Sequence, residues 1–122
     1  MPGPVVHLSE RLDALDEHWS PKVLARVNDQ YVKIAKVQGE FVWHDHAEED
    51  ELFYILKGEL TIEFEDGTVT LRQGDLHVVP RGVRHRPVAR DECWLMLVEP
   101  VGTLHTGSER TEKTRSIEEQ LE

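Results

Sequence analysis

Apolar and polar positions alternate with a period of two through most of this chain, the pattern of half-buried strands. Lys22 to Val27 alternates, Asn28-Asp29 supplies a turn, and Gln30 to Gln38 alternates again, which predicts a hairpin. Gly39-Glu40 interrupts the pattern and Phe41 to His46 resumes it. Leu52 to Leu56 is apolar at every position, so one face fills an interior and the other meets a second sheet or a subunit. After the Lys57-Gly58-Glu59 turn, Leu60 to Phe64 alternates cleanly. Asp66-Gly67 follows, a hairpin signal because both residues tolerate positive φ, and Val69 to Leu71 is the return strand. Leu76 to Val79 and Cys93 to Val98 complete the series, with Glu99-Pro100 as its boundary.

The flanks read differently. Leu8, Leu12, Leu15 and Trp19 recur at helical spacing, Ser9 is a suitable N-cap, and Ser20-Pro21 stops the run because proline disfavours helical geometry before it. Such a helix packs outside the barrel or against a partner subunit. From His105 to Glu122 the large apolar residues are Ile117 and Leu121, which predicts a polar tail, loose or with a short helix. His7 and His105 fall in these flanks, with nothing in the sequence linking them to a site. The expected organisation is a helical arm over 1–20, a barrel over 21–102 and a tail over 103–122. About eight to ten short strands punctuated by turns predict an all-β jelly roll.

Candidate chemistry concentrates in Trp43-His44-Asp45-His46-Ala47-Glu48-Glu49-Asp50-Glu51. On an extended strand His44 and His46 project to one side. Strand parity alone would put Glu51 on the other, so the polar run 47–50 must turn to bring it round. His85 arrives after Pro80-Arg81-Gly82-Val83-Arg84, a rigid turn at the start of another strand. Three imidazoles and a carboxylate form a ligand set for a divalent transition metal: zinc, manganese, iron, nickel or copper.

These residues resemble the two sequence motifs of the cupin superfamily. The first is represented by Gly39, four residues, His44-Asp45-His46, four residues, Glu51, six residues and Gly58. The second is represented by Gly74, five residues, Pro80-Arg81-Gly82, two residues, His85, three residues and Ala89. The spacer after Gly39 is one residue short, and Ala89 stands where the family has asparagine; neither departure touches a ligand position. The resemblance covers the middle half of the chain. It implies a small single-domain cupin barrel of the sugar-phosphate isomerase-like group, with a metal near the floor of its pocket, and the homodimer common among similar cupins. The apolar strand 52–56 also supports a dimer.

Charge narrows the partners. Fourteen Lys and Arg against 24 Asp and Glu give a net charge of −10, which opposes nucleic-acid and anionic-membrane binding. No apolar run reaches the ~20 residues of a membrane helix, and the first residues lack a signal-peptide pattern, so a cytoplasmic location is expected. The single cysteine, Cys93, reads as a buried core thiol.

Three classes of function follow. A protein giving four ligands to the ion leaves positions for a bidentate oxygenated metabolite, hence isomerase, epimerase or dioxygenase chemistry. A non-catalytic metal- or small-ligand-binding module is the alternative. A regulatory cupin is the third, opposed by the acidic balance and by the lack of a helix-turn-helix segment. A general acid or base is not identified: Tyr54, Glu63, His77 and Arg86 are candidates, Arg81 and Arg84 could meet an anion, and Trp43 and Trp94 read as core aromatics.

Overall fold

The computed structural model describes residues 3–107, 109 and 111–122. Helix α1 (Leu8–Asp13) precedes strands β1 (Lys22–Val27), β2 (Gln30–Glu40), β3 (Glu51–Lys57), β4 (Glu59–Phe64), β5 (Gly67–Arg72), β6 (Leu76–Val79) and β7 (His85–Pro100). Helix α2 (Ile117–Leu121) follows. The named strands pair antiparallel, in the order β1-β2-β7-β3-β6, with β4 pairing both β5 and β7.

The fold turns on β7. Its first residues pair with β4 (Phe64↔His85, Thr61↔Val88), and its last pair with both β2 and β3 (Val32↔Val98, Leu52↔Val98). One strand thus belongs to both walls, which curls the antiparallel sheet into an all-β barrel. A shift of register between Val37 and Gly39 bends β2 to follow it, with Gly39 at φ 86°. The sequence pattern divides this region at the exposed Arg90-Asp91-Glu92, but they form a bulge within one strand, whose pairing with β2 passes from Val37↔Cys93 to Gly39↔Ala89. Among the described residues seven strands therefore form, fewer than the alternation suggested.

Ala35 and Val37 of β2, Phe53 and Ile55 of β3, Leu60 and Ile62 of β4, and Cys93, Leu95 and Leu97 of β7 form the interior. Burial pushes the Cys93 thiol up to about 12, as expected of an inert core cysteine. On the outer face, Leu52, Tyr54 and Leu56 stay half-buried and Leu76 and Val78 of the edge strand are exposed. No described helix is long and apolar enough to cross a membrane.

The arm departs from its helical period. Helix α1 begins after His7, without a side-chain cap from Ser9, and ends at Asp13. Trp19 leaves the helical stripe for the core: its ring stacks on Phe41 at 4.5 Å, its indole N–H donates to Gln38 O, and its backbone is left-handed at φ 59°. Burying an indole outweighs continuing a two-turn helix. Phe41 to His46 is not a regular strand either; its one ladder contact is the bridge His44↔His85.

The C-terminal segment is docked, through polar groups. Thr103, His105, Thr106 and Gln120 are all buried, and Ser116 with Glu119 forms a capping box on α2. A search for apolar residues cannot see such an attachment.

Candidate metal centre

His44 and His85 face each other across an isolated antiparallel bridge, exchanging both backbone hydrogen bonds at 3.0 and 2.9 Å. Each ring then makes the same local contact. His44 Nδ1 lies 2.9 Å from Val42 O and His85 Nδ1 2.9 Å from Val83 O. A carbonyl only accepts, so both Nδ1 atoms carry the proton and both Nε2 atoms present a lone pair. Gly82 N donates to His46 O and Arg81 N to Asp50 Oδ1, tying the turn after the two histidines to the turn before His85. Glu51, the first residue of β3, closes the group. Its carboxylate oxygens lie 3.5 Å from His46 Nε2 and 3.6 Å from His85 Nε2.

The four residues are at most 3% exposed, and one donor atom from each lies within 4.8 Å of all the others. Among the described residues, His44 Nε2, His85 Nε2 and both ring nitrogens of His46 are buried with no hydrogen-bond partner. Unpaired buried polar atoms cost about 1–3 kcal/mol each, so a concentration of them in one place calls for an explanation. A cation accepting several lone pairs at once removes that cost. Nitrogen and oxygen donors of this kind fit the zinc, manganese, iron, nickel and copper range, so the residues present suit the group the sequence implied.

The electrostatics agree. Burial, then the electrostatic influence of neighbouring His85, holds His44 down at about 4, so its lone pair is free at neutral pH. Burial would raise Glu51, but the adjacent His46 and His85 rings and the Glu99 carboxyl outweigh it and keep this carboxylate well below its usual range. Burial works against a charged His46, yet the adjacent Glu51 carboxylate, with Glu49 and Asp45, raises it overall.

Two residues that sequence reasoning missed stand behind Glu51. Glu99 projects inward from β7 beside it, and Lys33 projects inward from β2; both side chains are fully buried. Lys33 Nζ lies 2.8 Å from Glu99 Oε1, donates to Thr103 O at 3.1 Å and donates to Gln120 Oε1. Burial and the adjacent Glu51 push the Glu99 carboxyl well above its usual range, against the pull of Lys33. Parity held the signal: Glu99 continues Cys93, Leu95 and Leu97, and Lys33 precedes Ala35 and Val37 on the inward face.

An apolar cavity of about 30 Å³ adjoins the cluster. Trp19, Phe41 and Phe53 contribute to its walls, and its ionisable lining residues are His44, Glu51 and His105. His105 therefore belongs with the site, contrary to the sequence expectation. Its turn is pressed against the first motif, where a Cβ on Gly107 would collide with the carbonyl oxygen of Asp45.

The other candidates lie elsewhere. Tyr54 is half-buried on the outward face of β3. Arg86 pairs with Glu63 at 2.7 Å and Glu40 at 2.9 Å and covers the Trp43 ring. Arg81 pairs with Asp50, Arg84 is exposed, and Trp94 lies beneath Lys36 and Lys57 rather than in the core. His77, on the edge strand, packs edge-on to Phe64.

Comparison with known proteins gives a consistent result. Residues 30–109 match the family model described as Cupin domain. A cupin-2 domain containing protein from Shewanella frigidimarina is 45% identical, with 79% of this chain and 94% of that one covered and a TM-score of 0.77. Protein NMB1881 of Neisseria meningitidis is 32% identical, with 80% and 99% covered and a TM-score of 0.74. The Bacillus subtilis protein YdbB is 44% identical over 64 residues, which is 52% of this chain and 57% of YdbB. That match thus spans little more than half of the curated relative.

Proposed function

The chain belongs to the cupin family, and from that premise we propose that it binds one divalent transition metal ion through His44, His46, Glu51 and His85 and acts as a metal-dependent enzyme on a small oxygenated molecule. The observation that carries this reading is the convergence of buried ring nitrogens without protein partners on one buried carboxylate. When bound, such an ion supplies Lewis acidity toward an oxygen-bearing ligand, and iron, copper or nickel adds redox chemistry. The chain supplies orientation and exclusion of water. Val42 O and Val83 O fix two ring tautomers, Glu51 contributes the negative charge, and Trp19, Phe41 and Phe53 provide apolar walls. Isomerisation or epimerisation of a sugar-like molecule, or dioxygenase chemistry, is the corresponding reaction class. The small size of the cavity favours a second reading, a non-catalytic metal- or small-ligand-binding module.

Elemental analysis of protein purified without a histidine tag tests this directly. Near one equivalent of a transition metal, lost in Glu51→Ala and His85→Ala, is the expected result. Iron, copper or nickel would direct assays to oxygen uptake, and zinc or manganese to proton exchange on hydroxy-acids and sugars. A parent that neither holds nor takes up metal sinks the proposal. The same reading includes a homodimer, because Leu52, Tyr54, Leu56, Leu76 and Val78 form a continuous outer apolar face across β3 and β6. A monomer by light scattering at micromolar concentration would remove that part.

A further inference from the structure

We infer that His105 is the ligand-orienting hydrogen-bond acceptor of the cavity, its Nδ1 receiving the O–H of a small hydroxyl-bearing oxygen chelator such as a hydroxy-acid or hydroxy-ketone. This rests on the metal reading above and names the class of ligand that site takes.

The tautomer follows from the neighbours. His105 Nε2 lies 3.1 Å from Trp19 O and 2.8 Å from Lys113 O. Both partners only accept, so Nε2 carries the hydrogen and the neutral ring presents its lone pair at Nδ1. Burial holds the ring's pKa down at about 4, which keeps it neutral in the physiological range. The residue is 6% exposed, and Nδ1 has no partner among the described residues. An acceptor left unmatched inside a fold is a place where a ligand donor fits.

Its surroundings make that a ligand contact. Of the cavity's ionisable lining residues, His44 and Glu51 face the metal cluster, which leaves His105 to read a ligand's polar group. The ring is held in place: it stacks on Phe41 at 5.4 Å, and Phe41 stacks on Trp19. Trp19, whose carbonyl takes the Nε2 hydrogen, sits at φ 59°, an unfavourable conformation for a bulky residue. Arm and C-terminal segment are thus both committed to fixing one imidazole. A volume of about 30 Å³ holds roughly two waters, so the ligand is among the smallest chelators.

The test uses cobalt(II)-loaded protein, with glycolate and acetate as probes followed by the cobalt visible spectrum. Glycolate offers the hydroxyl donor and acetate does not. In the parent, glycolate is expected to bind about tenfold or more tighter, the worth of one buried hydrogen bond. His105→Phe keeps the aromatic stack and removes the acceptor. His105→Gln retains an amide donor for the two carbonyls. With metal content unchanged, His105→Phe should reduce the glycolate preference about tenfold, and His105→Gln, whose Oε1 accepts, should retain more of it. An unchanged preference in folded, cobalt-loaded His105→Phe overturns the inference while leaving the metal site intact. A parent that takes up no cobalt overturns the metal reading and this inference with it. Should both variants misfold, ¹⁵N-histidine NMR of the zinc-loaded parent decides. An unprotonated His105 Nδ1 whose resonance moves with glycolate and not with acetate supports the assignment; a protonated Nδ1, or one indifferent to glycolate, refutes it.

Discussion

Two buried polar clusters lie side by side in the barrel interior and differ in whether the chain completes them with a cation of its own. Around Lys33, the ammonium's three donors face three oxygens, from Glu99, Thr103 and Gln120, all buried. Around Glu51, three imidazoles bring lone pairs together with no protein donor to receive most of them. Both clusters are equally removed from solvent, so burial does not separate a structural network from a binding site. The source of the cation does: Lys33 supplies it to the first, whose Glu99 oxygens nonetheless make no hydrogen bond among the described residues, and the second is arranged for one from outside.

Removing a member of the incomplete cluster should act on metal first. His46→Ala and His85→Ala are expected to lose more affinity than the ~10–100-fold typical of outer-shell changes, with β-rich circular dichroism retained. Equilibrium dialysis with elemental analysis measures this. Variants that bind as well as the parent would show that the orphaned nitrogens have another purpose.

Removing a member of the complete cluster should act on stability first. Lys33→Met leaves Glu99 and Gln120 buried without their donor, at a cost of about 3–5 kcal/mol by urea denaturation. Lys33→Met combined with Glu99→Leu should recover most of that loss, because the uncompensated carboxyl goes too. If Lys33→Met costs less than about 1 kcal/mol, the ammonium is not the keystone its geometry suggests. Metal stoichiometry should survive in both variants, which sharpens the contrast between the clusters.

The incomplete cluster was legible in the sequence because its members sit at fixed spacings within two short motifs. His44, His46 and Glu51 share one turn, and the Pro80 turn aims His85. The barrel was legible because alternation reports an apolar interior. The complete cluster was not, because its members lie on β2, β7, the segment after β7 and α2, so nothing local joins them. Lys33 was hidden because a charged residue in an alternating strand ordinarily faces water, and Glu99 because Glu99-Pro100 reads as the boundary of the strand before it. Trp19 was misplaced because helical spacing continued through a residue that the core claimed. His105 left no signal at all: a lone histidine in a polar stretch becomes informative only when its carbonyl partners, Trp19 and Lys113, are known.

The smallest effect expected is a pH dependence that separates His105 from the cluster it adjoins. Its pKa is about 4 in the folded chain and 6.5 ordinarily, so below 6.5 the unfolded chain takes up a proton that the folded chain refuses. Stability is therefore lost as pH falls from 6.5 toward 4, at a limit of about 1.4 kcal/mol per pH unit from one such group. In metal-free protein His44 contributes a loss of the same sign, and His46, whose pKa is raised, works in the opposite direction. Both are present in parent and His105→Gln alike and cancel in the difference. The variant should start about 1 kcal/mol less stable at pH 7 and close that gap as acid is added, in denaturation curves taken at several pH values. Parallel curves would mean that the ring takes up its proton without leaving the fold, so that His105 is not the neutral, enclosed group its two carbonyl contacts describe.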